Sequence, residues 1–348
     1  METEQNKTNK KRKTNKKTKR NVLITVLIIL VIILAVIFFV MYKFMHLVNY
    51  KAIDTSDLDA NGNLYNDVEN LLPQDEFNQI INILLIGSDS RDTSSAYAGR
   101  SDTIIIASIN PMKKSMKLIS IPRDTYVNIP AYGKYNGGMD KINAAFAYGG
   151  ETLLLKTINS NFGLNLTQYM TIDFSGMINV VNDIGGIQLT ITKDEMDIIN
   201  QYLPASYALT GKPFVPMTQY GTVTLNGEEA LAHSRDRYVG SDFTRASRQR
   251  DVLNAIMDKV SKMSTTKQLS VMQDFLKQVT TNVDVLGYTT KYVPSILSNY
   301  SEYKSNMISK QIPATSYAKG QYINGIYYFV PDSMDTAKKD FQTTLYEK

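Results

Sequence analysis

The sequence predicts an α/β fold: a three-layer α/β/α domain around a central mixed β-sheet, preceded by one N-terminal transmembrane helix. Three observations lead there. Short β-branched runs alternate with longer helical patterns through the body of the chain, as strands covered by helices do. Those runs are apolar along their whole length, the mark of strands buried on both faces. Residues 22–41, "VLITVLIILVIILAVIFFVM", carry no charge, and as a helix they span about 30 Å, the thickness of a bilayer core.

The elements follow in chain order. Residues 1–20 hold nine Lys/Arg against two Glu, so a formal charge of +5 for the chain becomes −2 for the remainder. Cations on the N-terminal side hold this short tail in the cytoplasm and send the body outside. No small-residue cleavage site follows the apolar run, and "MYKFMHLV" comes next, so residues 21–43 read as an uncleaved anchor rather than a signal peptide. Residues 44–80 are polar and turn-rich, and read as an extracytoplasmic stalk. Within it Asp57, Asp59, Asn61 and Gly62 have the spacing of a calcium loop. Val68 stands where the bidentate Glu is needed, which favours a plain solvated turn.

The domain proper is expected over 81–348. Strands are expected at 81–87, 103–109 and 116–121, then a helix over 141–163 stopped by Gly163. Strands at 168–174 and 185–191 flank a helical "SGMINVVNDI". Asn226 and Glu229 have capping-box spacing and open another helix. The next runs from Asp242 to about Met263. Helices at 267–280, 288–299 and 332–346, and a hairpin around Asn324-Gly325, complete the domain.

Composition excludes several chemistries. With no cysteine there is no thiol nucleophile and no Cys-type zinc site. Two histidines, His46 and His233, cannot build a multi-histidine metal centre, and no G-x-S-x-G elbow accompanies His233. A body at −2 is not a basic nucleic-acid binder, and no nucleic-acid partner is expected. A transcriptional regulator would present only the basic tail to the cytoplasm, and a lipid-headgroup contact explains that tail more simply.

Arg235, Arg237, Arg245, Arg248 and Arg250 fall within sixteen residues. At ~100° per residue, with Arg245 at zero, Ile256, Val260, Leu253 and Met257 form an apolar stripe between about +20° and +120°. Ser247, Asp251, Asn254 and Asp258 form the wet face near 180–240°. Gln249 lies with Arg245 on the shoulder of the stripe, Arg248 near −60°, and Arg250 has no evident partner. Two accounts compete: pairing with Asp236, Asp242 and Asp251 at the core's edge, or lining a cavity that clamps phosphate bidentately. The first strands favour the second. Asp89 and Arg91 follow strand one, Arg100 and Asp102 precede strand two, and Arg123 and Asp124 follow strand three. Open α/β sheets bind ligands at strand carboxyl ends. Carboxylates among arginines suit a magnesium pyrophosphate; the plainer alternative is that Asp89 and Asp102 cap turns.

"LLIGSDSR", "GRSDTIIIASINP", "LISIPRD", "KINAAFAYGG", "DFSGMINVVNDIGGI", "LNGEEALAHSRDR" and "DFTRASRQRDVL" occur in that order. Together they resemble the LytR-CpsA-Psr family of bacterial cell-wall proteins, best over 81–260. The resemblance implies a membrane-anchored phosphotransferase. It would move a glycopolymer, teichoic-acid or capsule-like, from a polyprenyl-pyrophosphate carrier to peptidoglycan. By motif position Asp89 and Asp102 would hold Mg2+ and act in catalysis with Arg123 and Arg245. Arg91, Arg123, Arg237 and Arg245 would contact the pyrophosphate, with Arg100, Arg235, Arg248 and Gln249 nearby. Asp89, Asp102 or a metal-bound water is the candidate base. The alternative is a module that binds the same lipid-linked precursor without turnover. The carrier needs an apolar tunnel, for which Ile104, Ile106, Phe146, Phe174 and Val181 are candidates, plain core being each one's default.

Overall fold

The computed structural model describes residues 48–53, 79–89, 99–235 and 242–346. The basic tail, the expected transmembrane helix at 21–43, the calcium-like loop, Arg91 and Arg237 lie outside these residues. Among the described residues no helix is long and apolar enough to cross a membrane.

The chain runs β1 (Asn49–Tyr50), β2 (Ile81–Ser88), β3 (Ser101–Asn110), β4 (Ser115–Ser120), the hairpin β5–β6 (Tyr126–Ile129, Gly138–Lys141), α1 (Ile142–Phe162), β7 (Gln168–Asp173) and α2 (Phe174–Asp183). Next come β8 (Ile187–Ile191), α3 (Lys193–Thr210), β9 (Gly221–Leu225), α4 (Gly227–Arg235), α5 (Asp242–Ser261) and α6 (Thr265–Lys277). β10 (Val279–Thr281), three short helices α7 (Val285–Lys291), α8 (Val293–Ser298) and α9 (Tyr300–Ser305), β11 (Met307–Gln311), the hairpin β12–β13 (Ala318–Ile323, Ile326–Pro331) and α10 (Met334–Tyr346) follow.

Seven strands form the central sheet in the order β1-β10-β7-β2-β3-β4-β11. It is mixed: β2 pairs parallel with β7 and antiparallel with β3, and β4 pairs antiparallel with β3 and parallel with β11. Successive side chains on a strand point to opposite faces, and here the two faces do different jobs. Leu84, Ile86, Ile104, Ile106 and Ile119 pack with Leu153, Leu154 and Ile158 of α1 and Phe341 and Leu345 of α10 into the main core. The Phe162 and Phe341 rings meet at 4.7 Å. The alternate residues Leu85, Thr103 and Ile105 belong to the other face, under α2, α5 and α6. A second core, including Val181, Ile187, Leu203, Leu225 and Val252, joins α2, α3, α5 and the β8–β9 hairpin.

Several sequence expectations change. Residues 48–53, assigned to the stalk, belong to the domain: β1 pairs with β10, Lys51 Nζ meets Glu151 Oε2 at 2.7 Å, and the Tyr169 hydroxyl donates to the Lys51 carbonyl at 2.7 Å. Among the described residues the strand at 187–191 pairs only with β9, in a separate two-stranded sheet. The helix expected over 267–280 stops at Lys277, because Val279–Thr281 pair with β7. The one expected over 288–299 is broken at Tyr292, just ahead of Pro294, which suits only a first helical turn. Helix α3 was not foreseen, although Thr192 and Glu195 form a complete capping box.

Candidate functional site

Because β3 runs antiparallel to β2, its first residues lie beside the end of β2. Gly87 faces Thr103 and Ser88 faces Ser101, so Asp102 is the extra residue of a β-bulge. A bulge re-aims the residue it expels from the ladder. The Asp102 carbonyl accepts from Arg245 Nη2 and Gln249 Nε2, both at 3.3 Å, and its Oδ1 accepts from Arg123 Nη1 at 2.5 Å. One residue thus ties β3 to the end of β4 through its side chain and to α5 through its backbone.

Arg123 is held on its other side by Asp124, at 3.5 Å from Nε, and Asp124 is in turn paired with Lys141 at 2.7 Å. This chain of alternating charges fixes the turn after β4 with little freedom, since Arg123 and Asp102 are each only 15% exposed. Asp89 accepts from the Arg100 amide at 2.6 Å through Oδ1, a contact between the end of β2 and the residue that precedes β3. Its second oxygen, like that of Asp102, takes no hydrogen bond from another described residue. Arg235, closing α4, lies over the Phe174 ring at 4.8 Å and the Tyr202 ring at 5.8 Å.

Asp102, Arg235, Arg245 and Gln249, with Ser234 and Tyr202, line a pocket of about 50 Å³. Beneath it lies an apolar cavity of about 390 Å³ between the sheet and α5, α6 and α8, walled by Leu85, Ile105, Met116, Leu253, Met257 and Phe275 among others. Gly87, Thr103, Ile172, Met177, Ser234 and Gln249 line both. A cationic mouth therefore opens directly onto an apolar interior.

The model of the LytR_cpsA_psr family matches residues 43–345. The chain belongs to this family. It is similar to the Enterococcus faecalis polyisoprenyl-teichoic acid–peptidoglycan teichoic acid transferase TagU, 35% identical over 58% of this chain and 59% of that protein's length. It is similar to Bacillus subtilis TagV, of the same designation, 30% identical over 83% of this chain and 71% of that one. The structure of TagT bound to LIIa-WTA superposes with a TM-score of 0.59, at 25% identity, over 86% of this chain and 100% of that one.

Within this family member the sequence-derived residues divide. Asp102, Arg123, Arg245 and Gln249 converge, and Arg235 joins them at the pocket wall. Arg100 is exposed and donates its backbone amide to Asp89. Arg248 turns away: about 100° around α5 from Gln249, it meets Glu195 Oε1 at 3.2 Å through Nε and Nη2. Arg250, without evident partner in the sequence, reaches the hydroxyls of Ser120 and Ser309 on β4 and β11. Of the tunnel candidates, Ile104 and Ile106 pack under α1, Phe146 packs against that same core, and Val181 lies in the second core, the default reading for each. Phe174 alone lines the polar pocket. The lining residues Ile105 and Leu85 carried one available signal, their opposite parity on the same strands. Tyr202 and Ser234 carried none. Among the described residues no group of three or more His, Asp or Glu is arranged to hold a metal.

Proposed function

We propose that this chain is a membrane-anchored phosphotransferase that moves a glycopolymer of the wall-teichoic-acid kind from a polyprenyl-pyrophosphate carrier to peptidoglycan. The observation that carries the reading is the arginine pocket opening onto the apolar cavity: a diphosphate with a prenyl chain needs both, in contact. The relatives named as teichoic acid transferases support the same chemistry. The anchor would be residues 21–43, with the domain outside the membrane.

Arg245 and Arg235 would neutralise the diphosphate, with Arg123 and Gln249 beside them; Arg91 and Arg237 are proposed for the same role from sequence position alone. An acceptor hydroxyl attacks the sugar-side phosphorus, the bond to the bridging oxygen breaks, and prenyl phosphate leaves with that oxygen. The reaction asks mainly for stabilisation of charge on the transferring oxygens, which fixed guanidinium groups supply. Asp89 and Asp102 fit Mg2+ as hard oxygen donors on neighbouring strand ends, each with one carboxylate oxygen that takes no hydrogen bond from another described residue; the ion would neutralise further phosphate charge. Asp89 or Asp102 would also receive the acceptor proton.

The test is release of prenyl phosphate by the full-length protein in detergent, given a short-chain prenyl-pyrophosphate oligosaccharide and a peptidoglycan fragment, with and without Mg2+. Release coupled to joined product, abolished in Asp102→Ala, is expected. Tight donor binding without turnover across donors would replace the transferase with a binding module.

A further inference from the structure

The opposite side of α5 carries a second and larger cleft, about 690 Å³ in volume. None of its lining residues lines the arginine pocket. One wall is the polar face of the β8–β9 hairpin, where Gln188 and Thr190 project from β8, and Thr224 of β9 stands directly across from Gln188. The other is the wet face of α5, through Asp251, Asn254 and Asp258, with Lys262 just past its end. Helices α4 and α5 serve both sites. His233 and Arg248 face the cleft, while Ser234, Arg235, Arg245 and Gln249 face the pocket.

Its chemistry differs from that of the pocket. Among the described residues three cations, Arg248, Lys259 and Lys262, stand against three carboxylates, Glu195, Asp251 and Asp258, so the described lining is near neutral. Arg248 is already paired with Glu195 at 3.2 Å, and Asp258 is held by Lys304 at 2.5 Å and by the Tyr300 hydroxyl at 2.6 Å. What remains is the Asp251 carboxylate and a set of amides and hydroxyls, with two lysines at the rim. Asn254 Oδ1 is buried and accepts no hydrogen bond from the described residues, a condition that a ligand N–H or O–H relieves. A phosphodiester polymer needs an excess of cations, which this lining lacks. A glycan rich in hydroxyl and acetamido groups, with occasional carboxylates for Lys259 and Lys262, matches it.

We propose that this cleft binds the acceptor, the glycan of peptidoglycan, and holds it while a neighbouring sugar presents its hydroxyl at the arginine pocket. The proposal rests on the transferase reading above. The two sites face opposite sides of one helix, about 10–12 Å across with its side chains, a separation that a few sugar units span.

The experiment titrates the full-length protein in detergent micelles with a soluble uncross-linked peptidoglycan tetrasaccharide bearing stem peptides, and separately with a glycerol-phosphate oligomer, by calorimetry. Wild type is expected to bind the glycan fragment and not the oligomer. Thr224→Val/Asn254→Ala is expected to weaken glycan binding by about tenfold or more, the loss of two hydrogen bonds, and to raise the acceptor KM with the donor KM unchanged. Lys262→Glu, on an exposed side chain, is expected to weaken it by a few-fold and guards against a folding defect in the double variant. Equal glycan affinity in wild type and both variants overturns the proposal, as does preferential binding of the oligomer, which would assign the cleft to the donor polymer. Calorimetry needs no turnover, so the two readings fail separately. Variant-sensitive glycan binding without transfer removes the transferase and keeps the cleft. Transfer with variant-indifferent glycan binding does the reverse.

Discussion

Asp102→Asn separates the two ways in which Asp102 holds the site. Arg245 and Gln249 use its backbone carbonyl, at 3.3 Å each, and the substitution leaves that group in place. Arg123 uses its carboxylate, at 2.5 Å with both side chains 15% exposed. A hydrogen bond to a charged partner of this kind contributes about 1.5–3 kcal/mol. Its loss removes this close contact of Arg123 and leaves Asp124, at 3.5 Å, among its partners. We expect Asp102→Asn to lower the unfolding free energy by that amount, read as a lower urea midpoint at an unchanged slope, and the melting temperature by roughly 2–4 °C per kcal/mol. Donor affinity should fall modestly, because the backbone contacts survive. Turnover should fall by about 10²-fold or more if Arg123 and the metal act on the developing charge. The assays are equilibrium denaturation and prenyl phosphate release at saturating donor. Wild-type stability together with wild-type turnover would refute both the ion pair and the catalytic role. A collapse of donor affinity with turnover preserved would refute the division between backbone and side chain.

The faces of β3 give a paired test. Ile105→Phe should intrude on the apolar cavity and raise KM for long prenyl donors more than for short ones, whereas Ile104→Ala should leave donor preference alone and cost about 2–5 kcal/mol in denaturation. At Gly227 any Cβ would run into the Ile178 carbonyl, a backbone group that cannot swing aside. Gly227→Ala should therefore cost about 1–3 kcal/mol or more by urea titration, and should loosen α4 with its Arg235. Burial alone would raise the Glu228 carboxyl, but hydrogen bonds from Lys212, Asn182 and Thr210 outweigh it and hold the group below its ordinary 4.5. A folded-state value below the unfolded one means that this stabilisation is complete above 4.5 and is lost as pH falls through the folded value. Melting temperatures of wild type should thus drop on acidification below 4.5, and Glu228→Gln, less stable near neutrality, should show a shallower acid limb.

What the sequence determined by itself is local and periodic. Uniformly apolar runs marked the strands of the central sheet, because a strand covered on both faces has no polar side to show. The period of 3.6 put Arg245 and Gln249 on the shoulder of the apolar stripe of α5 and placed Asp251, Asn254 and Asp258 on its wet face, as the structure has them. The order of the arginine and aspartate blocks carried the family and, through it, the site. The tertiary structure decided what depends on partners distant in the chain. Two strand residues of identical character, Ile104 and Ile105, fall one in the core and one in the cavity, since which side of a strand meets α1 and which meets α5 is a property of the sheet's surroundings. The bulge that frees Asp102 depends on the register of β2 against β3, and no single strand encodes it. Arg248 and Arg250, neighbours of Gln249, leave the site because their angles around α5 aim them at Glu195 and at the β4–β11 edge, partners between 53 and 130 residues away. Likewise, β1 reads as stalk until β10 offers it an edge, because a two-residue strand has no periodicity of its own.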